Sequence, residues 1–186
     1  MTTKDIEHIA YNHLWKKGTY LCFEVAAPKE LIDHYHRERV DLLMYETTGI
    51  WKCFEIKNSV SDFRSSAKLS FWGDYNYYIL NAEIYSKVKD EIPDGIGVWL
   101  VYKPYDDIRG YMECVKKPTK RERLCSHEAL MFALMQGLSR EYKKYRKLKE
   151  KEDKTSKKNT KKKTSKKNID KELKSPFDDI DSLFDW

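Results

Sequence analysis

The sequence predicts a mixed α/β protein, in the α+β arrangement, with one central mixed sheet flanked by helices and a further C-terminal helix. Three observations favour this fold class. Residues 1–142 carry 20 basic and 21 acidic side chains and most of the apolar ones, which is enough for a single domain with a real core. Segments of helical and strand periodicity alternate there in the order helix, strand, strand, strand, helix, strand. Two of the strands are joined by a three-residue loop that ends in glycine, as is typical of a hairpin.

The first half of this domain is predicted to hold one helix and three strands. Apolar residues recur at helical spacing through residues 3–17, and Gly18 ends the helix. A strand over 20–25 follows, and the runs 40–46 and 50–57 form the hairpin. Because the connecting loop is short, it fixes which residues face each other across the hairpin.

The second half is predicted to continue with a helix and two buried strands. The helix begins at a serine cap, either Ser59 or Ser61, and runs to about Gly73. Strands over 77–81 and 96–102 come next. Several aromatic side chains here could stack on unpaired bases, but we expect them to pack in the core: Trp72, Tyr75, Tyr77 and Tyr78.

The C-terminal part changes character along its length. A last strand is expected over 108–115, and an amphipathic helix begins near Arg123. Residues 143–174 then carry 16 basic and only 5 acidic side chains, and the composition of residues 147–174 predicts disorder. The chain therefore divides into a domain over 1–146, a disordered Lys-rich tether over 147–174, and an acidic, aromatic peptide over 175–186.

Composition also limits the compartment. No stretch approaches the roughly 18 consecutive apolar residues that a membrane helix needs, and the first residues lack an apolar signal region. The cysteines are scattered and form no Cys-x-x-Cys pair, which argues against a zinc site and a secreted disulfide framework: Cys22, Cys53, Cys114 and Cys125. We expect a reduced, cytoplasmic protein with no membrane partner.

The hairpin carries a cluster of charged residues that suits a metal ion. A register centred on Thr48 places Asp41 directly opposite Glu55, although facing carboxylates repel each other. Lys57 lies two residues beyond Glu55 and therefore projects from the same face. Mg²⁺, or Mn²⁺ in its place, takes one or two carboxylates, keeps several waters and leaves room for a phosphate. The backbone carbonyl of Ile56 could add a ligand, so the cluster predicts metal-dependent hydrolysis of a phosphodiester.

Two stretches, RVDLLM at 39–44 and FEIKNSVSDFR at 54–64, resemble the PD-(D/E)xK nuclease superfamily and, within it, the MmcB-like proteins associated with DNA repair. The likeness covers roughly residues 5–115, with valine at the position of the superfamily's proline. It implies a restriction-endonuclease-like core and a DNA nuclease, endonucleolytic or exonucleolytic. It also implies metal and catalytic positions at Asp41, Glu55 and Lys57.

The resemblance implies further site residues. An accessory acid is expected, for which Glu24 and Glu7 are alternatives; Glu24 matches an acidic position of the MmcB-like pattern, and we favour it. Lys68 sits where related enzymes often place a Lys or Gln facing the site. Arg64 and Lys68 are four residues apart, so one helix face could present both to DNA phosphates. The alternative for Lys68 is an exposed lysine without a role.

The last twelve residues combine four aspartates with five large apolar side chains: Phe177, Ile180, Leu183, Phe184 and Trp186. Such a peptide commonly binds a partner's groove through its apolar residues. Its SLFD sequence at 182–185 resembles the sliding-clamp-binding peptides of phage replicative polymerases, which implies a clamp as partner and a phage-infected bacterial cytoplasm as the setting. Two alternatives stay open: the acidic tip of single-stranded-DNA-binding proteins, and a peptide that folds back on the tether or the DNA groove.

Three functions are compatible with these patterns. The first is a Mg²⁺-dependent DNA nuclease acting in repair, recombination or replication, tethered to a clamp by its C-terminal peptide. The second is a catalytically silent DNA-binding or adaptor protein on the same fold. The third is an interaction module that only presents the tail. The complete set of Asp41, Glu55 and Lys57 favours the first, because a degenerate relative is expected to lose at least one of them.

Overall fold

The computed structural model describes residues 1–32, 38–65, 71–104 and 109–172, and only the backbone of residues 32, 153 and 155–172. The helices are α1 Thr3–Leu14, α2 Lys29–Ile32, α3 Val60–Phe63, α4 Ala82–Val88, followed by the 3₁₀ turn Lys89–Glu91, and α5 His127–Glu172. The strands are β1 Thr19–Ala26, β2 Arg39–Glu46, β3 Ile50–Ile56, β4 Tyr75–Leu80, β5 Gly97–Tyr102 and β6 Tyr111–Lys116.

All six strands form one mixed sheet in the order β1-β2-β3-β4-β5-β6. The first three strands are antiparallel to one another, β3, β4 and β5 are parallel, and β6 returns antiparallel to β5. Parallel neighbours need a crossover, and the chain makes these crossovers through the segments that hold α3 and α4. The predicted mixed sheet with flanking helices is therefore confirmed.

The sheet is covered on both faces. On one face Ile6 and Ile9 of α1 belong to one buried apolar cluster with Leu42, Phe54 and Ile79 of the sheet. On the other face the described core divides into two clusters, one around α5 and one around α4. The residues of these two clusters include Leu43, Trp51, Cys53, Leu130 and Leu134 for the first, and Tyr78, Leu80, Ile84, Val88 and Val98 for the second.

The hairpin between β2 and β3 has the predicted register. Glu46 pairs with Ile50, and the pairing continues without a shift to Leu42 and Phe54. Gly49 lies in the loop with φ of 88°, a left-handed conformation that glycine adopts without a steric cost. The core prediction for the aromatic residues is also confirmed, since Trp72, Tyr77 and Tyr78 are buried and Tyr75 is partly buried.

The helix predicted from Ser59 to about Gly73 is wrong in its length. Ser59 is the cap, accepting a hydrogen bond at 3.0 Å from the Asp62 amide, but α3 ends at Phe63. Residues 71–73 are not helical, and residues 66–70 lie outside the described part of the chain. The backbone of Gly73 passes so close to β3 that a Cβ atom there would lie 2.9 Å from the Trp51 carbonyl oxygen. This contact belongs to a loop entering β4.

Three other elements differ from the sequence prediction, one by its presence and two by the residue at which they begin. Helix α4 was not predicted; Asn81 caps it by accepting a hydrogen bond at 2.8 Å from the Ile84 amide. Strand β6 begins at Tyr111. Helix α5 begins at His127 because Ser126 caps it, accepting from the Ala129 amide at 3.1 Å.

The chain divides into two compact units, Met1–Ser139 and Arg140–Trp186. Within the second unit, α5 continues to Glu172, where the composition predicts a disordered tether. Between residues 138 and 172 there is no glycine or proline, and lysine and glutamate are good helix formers, so the backbone can remain helical without an apolar face. The peptide over 175–186 lies outside the described residues.

Among the described helices, none combines the length and the apolar character that crossing a membrane requires. None of the cysteines of the first unit forms a disulfide bond with a described residue: Cys22, Cys53, Cys114 and Cys125. The first two of these are buried, and burial raises the pKa of the Cys53 thiol to about 12. The thiol of Cys53 is therefore protonated and acts as a small apolar group in the core.

Asp5 connects the start of α1 to the end of β5. Its carboxylate closes a capping box with Thr2 and accepts a hydrogen bond at 2.6 Å from Lys103. These bonds favour the ionised form, chiefly the one from Lys103, and hold the pKa of Asp5 well below its usual range. A carboxyl whose pKa is lowered by folding stabilises the fold above its unfolded-state pKa, and this stabilisation is lost as pH falls.

We therefore expect Asp5→Asn to lower the melting temperature at pH 7, and this difference from the wild type to shrink as pH falls below about 4. Thermal unfolding across a pH series measures both effects. Asp90→Asn, at an exposed position of the 3₁₀ turn, serves as the control and should change little at any pH. A constant difference down to pH 2 would show that the ionisation of Asp5 plays no part.

Candidate active site

Three acidic residues lie side by side across the first three strands, at neighbouring register positions. The pairs Phe23–Leu42 and Val25–Val40 flank Glu24 and Asp41, which therefore face each other between β1 and β2. The β2–β3 register, carried one residue beyond its last pair, places Asp41 opposite Glu55. The order across the sheet is Glu24, Asp41, Glu55, which agrees with the predicted facing pair and adds the favoured accessory acid beside it.

The alternation of side chains between the two faces of the sheet is broken in β1 and β2 around Glu24 and Asp41. Cys22 and Val25 belong to the same core cluster although they are three residues apart, and so do Val40 and Leu43. Regular alternation would place the members of each pair on opposite faces. Glu24 lies between Cys22 and Val25 and has a φ of 55°. Among the described residues it is the only one other than glycine with a positive φ. Strained backbone of this kind concentrates at functional sites.

Asp41 is anchored to the neighbouring strand. Its Oδ2 atom accepts a hydrogen bond at 2.7 Å from the Ile56 amide. Burial raises the pKa of Asp41, the hydrogen bond from Ile56 and the charge of Lys57 oppose this increase, and the charges of Glu24 and Asp62 add to it. A carboxyl with a raised pKa destabilises the metal-free fold when it is ionised. A cation at this position would relieve that cost.

Glu55 and Lys57 lie in the interior. Alternation along β3 places them on the same face as Trp51 and Cys53, and they are only 5% and 7% exposed. The Lys57 amide donates to the Ile79 carbonyl at 3.1 Å, which continues the β3–β4 pairing beyond the end of β3. A charged group is rarely buried to this extent without a charged or polar partner.

The partner of Lys57 is a residue to which the sequence patterns assigned no role. Asp62 Oδ1 lies 3.7 Å from the Lys57 Nζ atom, and Asp62 Oδ2 accepts from the Asn58 amide at 3.3 Å. Because Ser59 caps the Asp62 amide, one turn of helix directly after β3 brings this carboxylate back to the lysine. The signal was present in the sequence as a serine three residues before an aspartate, a typical helix start.

The donor set fits a small divalent cation. No group of three or more His, Cys, Asp and Glu side chains arranged to hold a metal ion occurs in the described ranges. Magnesium does not require such a cage, because it binds through one or two carboxylates and keeps several waters. Asp41 and Glu55, with the carbonyl of Ile56 beside them on β3, are the residues that would hold it, and their oxygen chemistry suits a hard cation better than a soft one.

The two alternatives for the accessory acid lie on different elements. Glu24 belongs to the row of carboxylates. Glu7 is on α1, which packs on the sheet face that carries Phe54 and Ile56, whereas Glu55 projects from the opposite face. The described geometry therefore gives no reason to group Glu7 with Glu55.

The predicted DNA-binding pair is only partly described. Arg64 forms two hydrogen bonds with Glu91, at 3.0 and 2.6 Å, so its guanidinium has a partner within the protein. Both side chains are largely exposed, and an exposed ion pair of this kind is weak enough to be exchanged for a phosphate. Lys68 lies outside the described residues. So do all five apolar residues of the C-terminal peptide: Phe177, Ile180, Leu183, Phe184 and Trp186.

No family model and no curated protein matches this chain. Among solved structures, the chain is similar to the SPO1766 protein of unknown function from Silicibacter pomeroyi, with a TM-score of 0.60 and 17% sequence identity. The likeness covers 78% of this chain and 92% of that chain. At this identity it concerns the fold alone.

The backbone strain at Glu24 can be tested by comparing two substitutions. Glu24→Gly and Glu24→Ala both remove the carboxylate, but only glycine adopts the left-handed region without a steric cost. We expect the glycine variant to be more stable than the alanine variant by about 1 kcal/mol in urea unfolding.

The same pair of substitutions at Tyr20 is the control, because Tyr20 is an exposed position of β1 with ordinary extended backbone. There the order should be reversed, with alanine more stable than glycine. An alanine variant that is also the more stable at Glu24 would mean that the backbone there is not left-handed.

Proposed function

We propose that this protein is a Mg²⁺-dependent DNA nuclease that hydrolyses phosphodiester bonds in the cytoplasm. The single observation that supports the proposal most is the row Glu24, Asp41 and Glu55 across three neighbouring strands, with the buried Lys57 on the strand of Glu55. A fold gains no stability from assembling like charges in this way. A bound cation would offset the repulsion between the carboxylates, and the Lys57 ammonium suits an anionic substrate.

In the proposed hydrolysis, the acidic row and Lys57 have different roles. A bound divalent cation would supply positive charge to the scissile phosphate and lower the pKa of a water molecule. Asp41 and Glu55 would hold the cation, and Glu24 would contribute a carboxylate at the edge of the row. The Lys57 ammonium donates to a phosphate oxygen and stabilises the negative charge that develops there. The oxygen of water would form a bond to phosphorus while the bond to the leaving oxygen breaks, and the proton that the water loses would pass through solvent to the leaving oxygen, which gives one phosphate end and one hydroxyl end.

The test is a cleavage assay on labelled single-stranded, duplex, nicked, flapped and four-way DNA, with Mg²⁺ or Mn²⁺ and with EDTA. We expect cleavage of at least one substrate with either metal and none with EDTA. Cleavage that survives EDTA would contradict the metal requirement. DNA binding without cleavage of any substrate would favour the silent DNA-binding protein, in which Lys57 and Asp62 form only a structural ion pair.

We also propose that the peptide over 175–186 binds a sliding clamp or another replication protein. Its support is the sequence, since five apolar side chains between acids suit an apolar groove with a basic rim. Deleting 175–186 should abolish clamp binding in a pull-down or calorimetric titration without changing cleavage of short DNA. Unchanged clamp affinity after the deletion would exclude the peptide as the binding element.

A further inference from the structure

The second unit exposes two tyrosines on a strongly basic helix. Tyr142 and Tyr145 are 59% and 56% exposed, and nothing in the described part of this unit covers them. Residues 140–154 of α5 carry eight Lys and Arg against four Asp and Glu, and residues 155–172 carry eight against two. Exposed aromatic rings that are neighbours on one helix, unlike scattered ones, form a contiguous apolar surface of the kind that binds a partner.

The tyrosines and two cations share one helix face. Residues three and four apart are neighbours on a helix surface, so Tyr142 lies beside Tyr145 and Arg146, and Tyr145 lies beside Lys149. Arg146 reaches Glu150 only at 4.0 Å, with both side chains largely exposed. Lys149 forms no ion pair with any described residue. The face therefore presents two flat rings flanked by two positive charges that remain accessible.

A second copy of the helix is a poor occupant for this face. A coiled coil requires an apolar seam over three or four heptads, but the exposed apolar side chains of α5 extend only from Phe132 to Leu148, which is fewer than three heptads, and the next apolar residue is Ile169. Two such helices side by side would also bring their lysines together, and like charges on neighbouring helices repel. The charge of the helix instead complements a polyanion.

We propose that this face of α5 binds single-stranded DNA, with Tyr142 and Tyr145 stacking on unpaired bases and Arg146 and Lys149 contacting the phosphates beside them. Aromatic platforms between cations are how proteins bind unpaired nucleic acid without sequence preference, because every base has a flat face. The inference extends the proposed function by naming a substrate class, DNA with a single-stranded segment. Its binding step needs no metal.

The experiment measures binding of the full chain in EDTA by fluorescence anisotropy, with a labelled 20-nucleotide oligo-dT and a 20-base-pair duplex. We expect Tyr142→Ala with Tyr145→Ala to weaken oligo-dT binding at least about tenfold and to change duplex binding less than about twofold. Tyr11→Ala with Tyr111→Ala is the matched control, because these tyrosines are 44% and 50% exposed on other elements.

Salt dependence separates the two kinds of contact. Arg146→Gln with Lys149→Gln should weaken both DNAs and reduce the slope of log affinity against log salt by about 1 to 2. The tyrosine variants should leave that slope unchanged. Circular dichroism confirms that α5 persists in each variant, as expected from the good helix propensity of alanine and glutamine.

Two results would overturn the inference. One is an equal effect of the tyrosine variants on both DNAs, or no effect on either. The other is a change from dimer to monomer in sedimentation velocity with unchanged DNA affinity, which would assign the face to a second copy of the chain. If the protein cleaves no DNA but binds oligo-dT through the tyrosines, the proposed nuclease activity fails while this inference stands. If the protein cleaves DNA but the tyrosines contribute nothing to oligo-dT binding, this inference fails while the proposed nuclease activity stands.

Discussion

Asp41→Asn is expected to abolish metal-dependent cleavage and, at the same time, to stabilise the metal-free protein. Asparagine keeps an oxygen that can accept the hydrogen bond from the Ile56 amide, so the contact between β2 and β3 is retained. It removes the negative charge from the centre of the row, and with it the repulsion from Glu24. The metal loses a charged ligand, a change worth several kcal/mol in the transition state, so cleavage should fall at least about 1000-fold.

Two measurements check this prediction on the same sample. Initial rates of cleavage test the proposed metal site. Urea unfolding in EDTA should show a gain in the free energy of unfolding of up to about 1 kcal/mol, the size of a relieved like-charge pair in a sheet. Glu46→Gln is the control, because Glu46 lies on the same strand and pairs with Lys52 at 2.6 Å, away from the row. A variant that loses activity and stability together would mean that Asp41 serves the fold.

Lys57→Met should produce the largest loss of stability among the site variants. Methionine has nearly the length of lysine and fits the buried position, but it carries no charge to balance the surrounding carboxylates. Removing one partner of a buried ion pair costs about 3–5 kcal/mol. The Asp62 carboxylate is 46% exposed, and water can therefore solvate it once the ammonium is gone. We expect a smaller loss of about 2 kcal/mol, together with loss of cleavage.

A double-mutant cycle makes this prediction specific. In the Asp41→Asn background, Lys57→Met should cost about 1 kcal/mol less, because one of the carboxylates that the ammonium balances is already neutral. Lys87→Met is the control for removing a paired lysine, since its bond to Glu83 lies on an exposed helix surface and contributes little. Equal costs in both backgrounds would show that Lys57 and Asp41 do not interact.

Those parts of the site that depend on pairing within the hairpin could be predicted from the sequence alone. Hairpin register follows from loop length and alternation, and these two features alone place Asp41 and Glu55 opposite each other. The buried positions of Trp72, Tyr77 and Tyr78 were expected from the size of these aromatic side chains, without an argument from alternation. A short loop and a two-residue period leave few other arrangements.

What the sequence did not predict depends on contacts between distant elements or on weak local signals. The left-handed Glu24 has no pattern of its own, because strain there is imposed by the pairing of β1 with β2. Asp62 returns to Lys57 in the first turn of α3, and this turn is fixed by the cap at Ser59, which was only one of two serines that the sequence offered as a cap. Helix α4 has just seven residues, too few for a periodicity that separates it from a turn.

The order of the strands has a consequence for how the protein folds during synthesis. Every strand pairs with the strand before it in the chain, so each new strand can join an edge that already exists. The β2–β3 hairpin closes a short loop and is expected to form quickly, and the parallel pairings of β4 close longer crossovers but still join segments that are neighbours in the chain. Helix α5 emerges after all the described strands, and until it docks, the apolar cluster that includes Trp51 and Cys53 lacks the cover of Leu130 and Leu134. The nascent sheet is therefore most exposed to aggregation, and most in need of a chaperone, just before residues 127–134 leave the ribosome.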